Sequence, residues 1–163
     1  MSNTNNIRNI AIVGASGNVG LSALKHLLAT GKFITTVITR SDSSHVFPEV
    51  AGLTVKKGSY DDAHFTSSAF ADQDVVLFAL GFMAMETQSR LIEAAAKAGV
   101  KWILPTEYAG DGKNEAMFDA VPLFHPKVQA RKQVEDLAKT YEGLKWIGVV
   151  TNPWTEFVRN SCS

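Results

Sequence analysis

Only one of the 163 residues is cysteine, Cys162, so no disulfide can form within the chain and no Cys/His cluster with zinc-ligand spacing exists. The four histidines, His26, His45, His64 and His125, are scattered along the sequence and carry no metal-site pattern. Charge of either sign is not in surplus: 16 Lys and Arg balance 16 Asp and Glu. A nucleic-acid partner calls for a basic excess to neutralise phosphates, so that class is disfavoured. No apolar run is long enough to span a bilayer, and the polar opening MSNTNNIRN lacks the apolar core of a signal peptide. Together these absences predict a soluble cytoplasmic protein without a membrane or nucleic-acid partner.

What the sequence does have is alternation. Short apolar runs at 10–13, 33–39, 53–56, 74–80, 101–104 and 144–150 read as strands, the run DVVLFAL with the continuous apolar character of a strand buried on both faces. Helical periodicity covers 18–29, 61–71, 87–98 and 126–139. Gly31 and Gly99 read as helix stops, and Pro126 sits in a first turn, where proline is tolerated. Residues 41–51 hold at most a short helix, and 105–124 read as a long loop. This order predicts an α/β domain with a doubly wound parallel sheet, strand order 3-2-1-4-5-6 and helices on both faces.

The first strand feeds GASGNVG at 14–20. In a strand-turn-helix context Gly14 permits the sharp turn, Gly17 lets a pyrophosphate approach the backbone, and Gly20 lets the helix pack closely. The N–H groups of Ser16, Gly17, Asn18 and Val19 are placed to meet phosphate, and the Ser16 and Asn18 side chains can add hydrogen bonds. The alternative is a tight turn that binds nothing. The second strand ends in Thr39, Arg40 and Ser41. An acid at that position favours NAD, whereas an arginine accommodates the 2′-phosphate of NADP. Arg40, with hydroxyls from Thr39, Ser41 or Ser43, therefore favours NADP(H) over NAD(H), unless it is simply a solvated loop residue.

GASGNVG at 14–20, TRS at 39–41, FALG at 78–81, LIEAAAKAGVKWILPTEYAGD at 91–111 and HPKVQARKQVED at 125–136 together resemble the NmrA-like and isoflavone reductase-like group of atypical short-chain dehydrogenase/reductases. The block AAAKAGVKWILPTEYAGD carries the resemblance most specifically. It implies a single NAD(P)-binding Rossmann-like domain over residues 1–163, with a substrate cleft above the C-terminal strand ends. Some members of the group reduce small aromatic substrates; others are dinucleotide-binding regulators that bind a protein partner. The first alternative makes this chain an NADPH-dependent oxidoreductase acting on a small aromatic or carbonyl/enone substrate.

In the reductase branch a lysine at the start of the helix after the loop acts as general acid/base, and Lys127 matches that position. A cation in a helix's first turn opposes the dipole and gives up its proton more readily, particularly when part-buried. The other reading is one exposed lysine among many. The Tyr-x-x-x-Lys arrangement of typical short-chain dehydrogenases is absent, since Leu123 precedes Lys127 by four. Tyr108 stands where the group has Phe and receives no catalytic assignment. The resemblance also places Ala79, Leu80, Gly81 and Phe82 beside the nicotinamide half of the cofactor, and matches Thr106 and Glu107 to a Ser-Glu pair that hydrogen-bonds the loop or the nicotinamide region. Asn152, Pro153 and Trp154 match a segment bordering the substrate cleft, with Trp154 read first as ordinary core. Gly58-Ser59-Tyr60-Asp61 departs from the group's Gly-Asp, which leaves the adenine-side contacts open.

Members of the group run to about twice this length. The resemblance therefore implies a fragment, a truncated gene product or a short member that works as a dimer. The apolar edge left after strand six favours self-association.

Overall fold

The computed structural model describes residues 7–111, 114, 116, 121 and 124–151. Six parallel strands form one sheet: β1 (Asn9–Val13), β2 (Ile34–Arg40), β3 (Leu53–Gly58), β4 (Val75–Phe78), β5 (Trp102–Leu104) and β6 (Lys145–Trp146), in the order β3-β2-β1-β4-β5-β6. The helices are α1 (Asn18–Thr30), α2 (Ala63–Phe70), α3 (Met85–Lys97) and α4 (His125–Thr140). The expected class and strand order are both present.

Side-chain alternation divides the core into two layers. Ala11, Val13, Ile38, Val76, Phe78 and Ile103 pack with Phe70, Leu91, Ile92 and Val134, so α2, α3 and α4 cover one face. Ile12, Val37 and Leu77 point the other way, toward Ala15, Leu24 and Phe47, with α1. A strand whose alternate residues both meet apolar layers must be apolar throughout, which is why β1 and β4 read as unbroken runs. The register Ile12↔Leu77 and Val13↔Phe78 keeps like-facing residues side by side.

Helix ends follow local chemistry. Asp62 caps α2 by accepting from the His64 and Phe65 N–H groups. Gly31 closes α1 at φ 62°, and Gly99, at φ 81°, ends the turn after α3. Several boundaries differ from the sequence reading, among them the start of α2 at Ala63 rather than at 61. A 3-10 turn, Phe82–Ala84, leads into α3, which starts two residues earlier than the periodicity indicates. β4 stops at Phe78, because Ala79 and Leu80 already form the cleft wall. Strand six is a two-residue pairing followed by an isolated Ala109↔Val150 bridge rather than a run over 144–150. Most of 112–123 and all of 152–163 lie outside the described residues, and with them Asn152, Pro153 and Trp154. Among the described residues, no helix is long and apolar enough to cross a membrane, and no group of three or more His, Cys, Asp and Glu is placed to hold a metal.

The N-terminal edge of the sheet is tied at Asp74. Its Oδ2 accepts from the main-chain N–H groups of Arg8 and Asn9, each at 2.9 Å, and its Oδ1 from Lys101 Nζ at 2.7 Å. One carboxylate thus joins the entries of β1, β4 and β5. Burial works to raise its pKa, but the Asn9 N–H, Lys101 and the Arg8 N–H outweigh it and hold the carboxyl at about 2, below the ordinary 3.8. A depressed carboxyl pKa contributes stability that is full above the unfolded value and lost as pH falls through the folded one. In urea unfolding, Asp74→Asn is expected to cost about 2 kcal/mol at pH 7, with the difference from the parent chain shrinking as pH falls below about 4 toward 2.

Candidate functional site

The sheet's connections reverse direction at β1: the chain runs to β2 and β3 on one side and to β4, β5 and β6 on the other. Crevices in doubly wound sheets open at the C-terminal edge of such a switch point. Here a cleft of about 560 Å³ lies there. That volume falls in the range of small-molecule sites.

The glycine turn forms its floor. Gly14 has φ 89°, and a Cβ on it would lie 2.4 Å from the Ala79 carbonyl oxygen. A Cβ on Gly20 would lie 2.2 Å from the Gly14 carbonyl oxygen. Both positions are closed to any side chain by backbone. Gly17 is different. Its φ of −82° suits any residue, and a Cβ there would meet only ordinary contacts at 3.5 and 3.7 Å. It lines the cleft, as does Gly81, beside which there is open space. Gly17 is also the N-cap of α1, with no side-chain cap and no acid in the first turn. The N-terminus of α1, and the positive end of its dipole, therefore meets the cleft uncapped by any side chain.

Of the residues singled out in the sequence, Gly14, Ser16 and Gly17 line this cleft, together with Thr39, Arg40 and Ser41 from the end of β2. Ala79, Leu80 and Gly81 line it from the end of β4. Asn18, Val19 and Gly20 belong to the first turn of α1 beneath it. Phe82, Thr106 and Lys127 fall outside its lining. The sequence reading left the 58–61 segment open and assigned no cleft residue to the helix that is α3. Gly58, Ser59, Tyr60 and Asp61 form the far wall, and Thr87 and Arg90 reach the cleft from α3. The only sequence signal for the last two is their spacing of three on the polar side of an amphipathic helix.

Charge at the far end is arranged in pairs. Arg40 Nε lies 3.2 Å from Asp42 Oδ1, and Arg90 Nη1 lies 2.7 Å from Asp61 Oδ1, all four side chains well exposed. Tyr60 lines the same cleft. Its hydroxyl donates to the Ile38 carbonyl at 3.0 Å, and burial, opposed by Arg40 and helped by Asp42, pushes the phenol up to about 12.

A second group of polar residues lies beyond the end of β5. The Thr106 N–H donates to Oε1 of the fully buried Gln88 at 3.0 Å, and Thr106 Oγ1 accepts from the Leu80 N–H at 3.1 Å. Thr106 therefore braces the cleft wall. Glu107, 5% exposed, receives Arg131 Nε on Oε1 at 3.1 Å and Arg131 Nη2 on Oε2 at 3.4 Å. The Glu107 main-chain carbonyl accepts from Lys127 Nζ. Burial lowers the Lys127 pKa below the ordinary lysine value, with Glu107 pulling it part of the way back. Tyr108, at φ 39°, buries its hydroxyl, and that burial pushes the phenol up to about 12.

The fold and the switch-point cleft define a doubly wound α/β domain with a glycine-rich strand-to-helix turn. The chain belongs to the NmrA-like family, whose model matches residues 7–151. It is 34% identical over 149 residues to the oxidoreductase aprR of Aspergillus flavus, a match covering 90% of this chain and 49% of that one. It is 30% identical to the phenylcoumaran benzylic ether reductase IRL1 of Ginkgo biloba, covering 88% of this chain and 48% of that protein. The chain thus spans about half the length of the curated relatives it matches. Among solved structures it resembles AtPrR2 with NADP+ and (+)pinoresinol, at a TM-score of 0.69 and 25% identity, covering 88% of this chain and 49% of that one. An isoflavone reductase shares the fold at a TM-score of 0.74 and 23% identity, with 96% and 53% covered.

Thr106→Val removes the acceptor of the Leu80 N–H and is expected to lower stability by about 1–3 kcal/mol in urea unfolding, while Thr106→Ser, which keeps the hydroxyl, stays close to the parent chain.

Proposed function

We propose that residues 1–163 form an NAD(P)-binding domain of an NADPH-dependent reductase of the isoflavone reductase-like type, acting on a small aromatic or carbonyl/enone substrate. The observation that carries this reading is Gly17, a glycine that the fold does not require, at the uncapped N-terminus of α1 and on the cleft floor. A Cβ there would occupy cleft space, which is what a pyrophosphate lying on the turn needs left empty. Family membership and the oxidoreductase and reductase names of the relatives support the same reading.

In this reading Gly14, Ser16 and Gly17, with the first turn of α1, hold the pyrophosphate by main-chain N–H groups. Thr39, Arg40 and Ser41 take the adenosine ribose and its 2′-phosphate, with Arg40 exchanging Asp42 for the more highly charged phosphate. Ala79, Leu80, Gly81 and Phe82 border the nicotinamide half, and Thr106 holds that wall in place. Bound NADPH supplies the hydride. Lys127 supplies the proton to the substrate atom that gains negative charge, leaving a neutral amine. Its part-buried place in the first turn of α4 suits this role, because both desolvation and the helix dipole favour loss of the proton.

Titration of the purified chain with NADPH and NADH, beside Gly17→Ala and Arg40→Ala, tests the reading. Gly17→Ala is expected to keep the fold, at a cost of no more than about 1 kcal/mol for the poorer N-cap, and to weaken both dinucleotides about tenfold or more. Arg40→Ala is expected to weaken NADPH about tenfold or more and to leave NADH nearly unchanged. Undiminished NADPH affinity in Gly17→Ala would remove the pyrophosphate from this turn.

A further inference from the structure

Glu107 serves two partners on one helix face. Its carboxylate is gripped by both prongs of Arg131, and its carbonyl receives Lys127. Lys127 and Arg131 are four apart on α4, so the two cations project from neighbouring positions on the same side. The pair is deeply buried, with side-chain exposures of 12% for Arg131 and 6% for Glu107. Two forked contacts use both carboxylate oxygens, which leaves the lysine the neutral carbonyl rather than a carboxylate.

We infer that Arg131 is a positioning residue for Lys127: it masks the Glu107 carboxylate in a buried, forked ion pair and so holds the Lys127 amine on a main-chain carbonyl instead of in a salt bridge. A lysine in a salt bridge keeps its proton; a lysine on a carbonyl, with a cation one helical turn away, releases it more readily. The other charged or titratable groups around this part of α4 are His125, Lys132, Glu135, Asp136 and Lys139 on the helix itself, Glu86, Arg90, Glu93 and Lys97 on α3, Tyr108 and Asp111 beyond β5, and Lys145 on β6. On α3, Arg90 pairs with Asp61 and Glu93 with Lys97, and α3 meets α4 through the neutral Ser89–Gln133 contacts. On β6, Lys145 lies over the Trp102 ring. Glu107 is the residue that Lys127 contacts and the charge that acts on its amine, and Arg131 is what masks that carboxylate.

The consequence for turnover rests on reading Lys127 as the proton donor, but the ionisation of Lys127 is measurable without substrate or dinucleotide. The experiment is competitive acetylation of the full chain with acetic anhydride across pH, the Lys127 peptide quantified by mass spectrometry. Arg131→Met frees the carboxylate, and the labelling midpoint of Lys127 is expected to rise by about one pH unit. Glu107→Gln removes the carboxylate and leaves Arg131 unpaired, and the midpoint is expected to fall. Arg131→Lys keeps the charge but gives up the fork and frees one carboxylate oxygen, so its midpoint is expected to rise by less than that of Arg131→Met. A merely structural pair gives a different pattern: every variant loosens the turn, admits water and raises the midpoint. Same-direction shifts in Arg131→Met and Glu107→Gln, or an Arg131→Lys shift as large as that of Arg131→Met, overturn the inference. Arg131→Lys leaves no unpaired buried charge, so where Arg131→Met fails to fold it is compared with Glu107→Gln: shifts in opposite directions uphold the masking, and shifts in the same direction overturn it. Opposite shifts uphold the masking even where Lys127→Ala keeps full NADPH turnover, a result that counts against Lys127 as proton donor.

Discussion

The interlock of backbone at the glycine turn is the constraint on which the rest of this molecule depends. The Ala79 carbonyl fills the place of a Gly14 side chain, and the Gly14 carbonyl fills that of a Gly20 side chain. The end of β4, the turn after β1 and the first turn of α1 are thereby pressed together with nothing but main chain between them. The Ala79 N–H donates to the Val13 carbonyl at 2.8 Å, which locks β4 against β1 as both leave the sheet. Without this contact α1 would stand off the turn, and the cleft floor would not exist. Gly17 stands out against that background because its missing side chain serves no part of the interlock.

Polar groups are sorted by the two ends of the sheet. At the N-terminal edge Asp74 spends its carboxylate on Arg8, Asn9 and Lys101. At the C-terminal edge the arginines Arg40 and Arg90 lie on the surface with exposed partners, in high-dielectric surroundings where such pairs are weak and exchangeable. The Glu107–Arg131 pair shares that edge but is buried, where loss of one partner leaves an unsolvated charge. Exposed pairs suit a site that must trade partners, and a buried pair suits one that must hold still.

Much of the fold was legible in the sequence because it rests on local signals. A strand packed on both faces must be an apolar run, as at 10–13 and 74–80, and the glycine stops at Gly31 and Gly99 follow from left-handed backbone. The floor of the cleft and Arg40 at the end of β2 were legible for the same reason. The far wall was not. Tyr60 follows β3 while Thr87 and Arg90 sit on α3, so the two parts meet only through the crossover, and no spacing in the chain joins them. The start of α3 was displaced by a 3-10 turn with no side-chain cap to mark it. The Glu107–Arg131 link was missed because its partners lie 24 residues apart, and each reads alone as an ordinary charged residue.

The cleft wall and Lys127 are joined by a short sequence of fixed contacts. The Leu80 N–H is held by Thr106, the next residue along is Glu107, and the carbonyl of Glu107 holds the Lys127 amine. Gln88 fixes the Thr106 N–H from inside α3, and Arg131 fixes Glu107 from α4. Every link is either covalent backbone or a hydrogen bond to a buried residue. A long lysine side chain ordinarily samples many rotamers and is a poor reference point for a reacting atom. Here its far end is pinned to main chain that is itself braced against the cleft wall, so its distance from that wall is set by the backbone rather than by the lysine. The polar residues following β5 thus act as a spacer between two helices and the end of β4, which explains why a carboxylate, an amide and a hydroxyl are buried together where apolar residues would pack more cheaply.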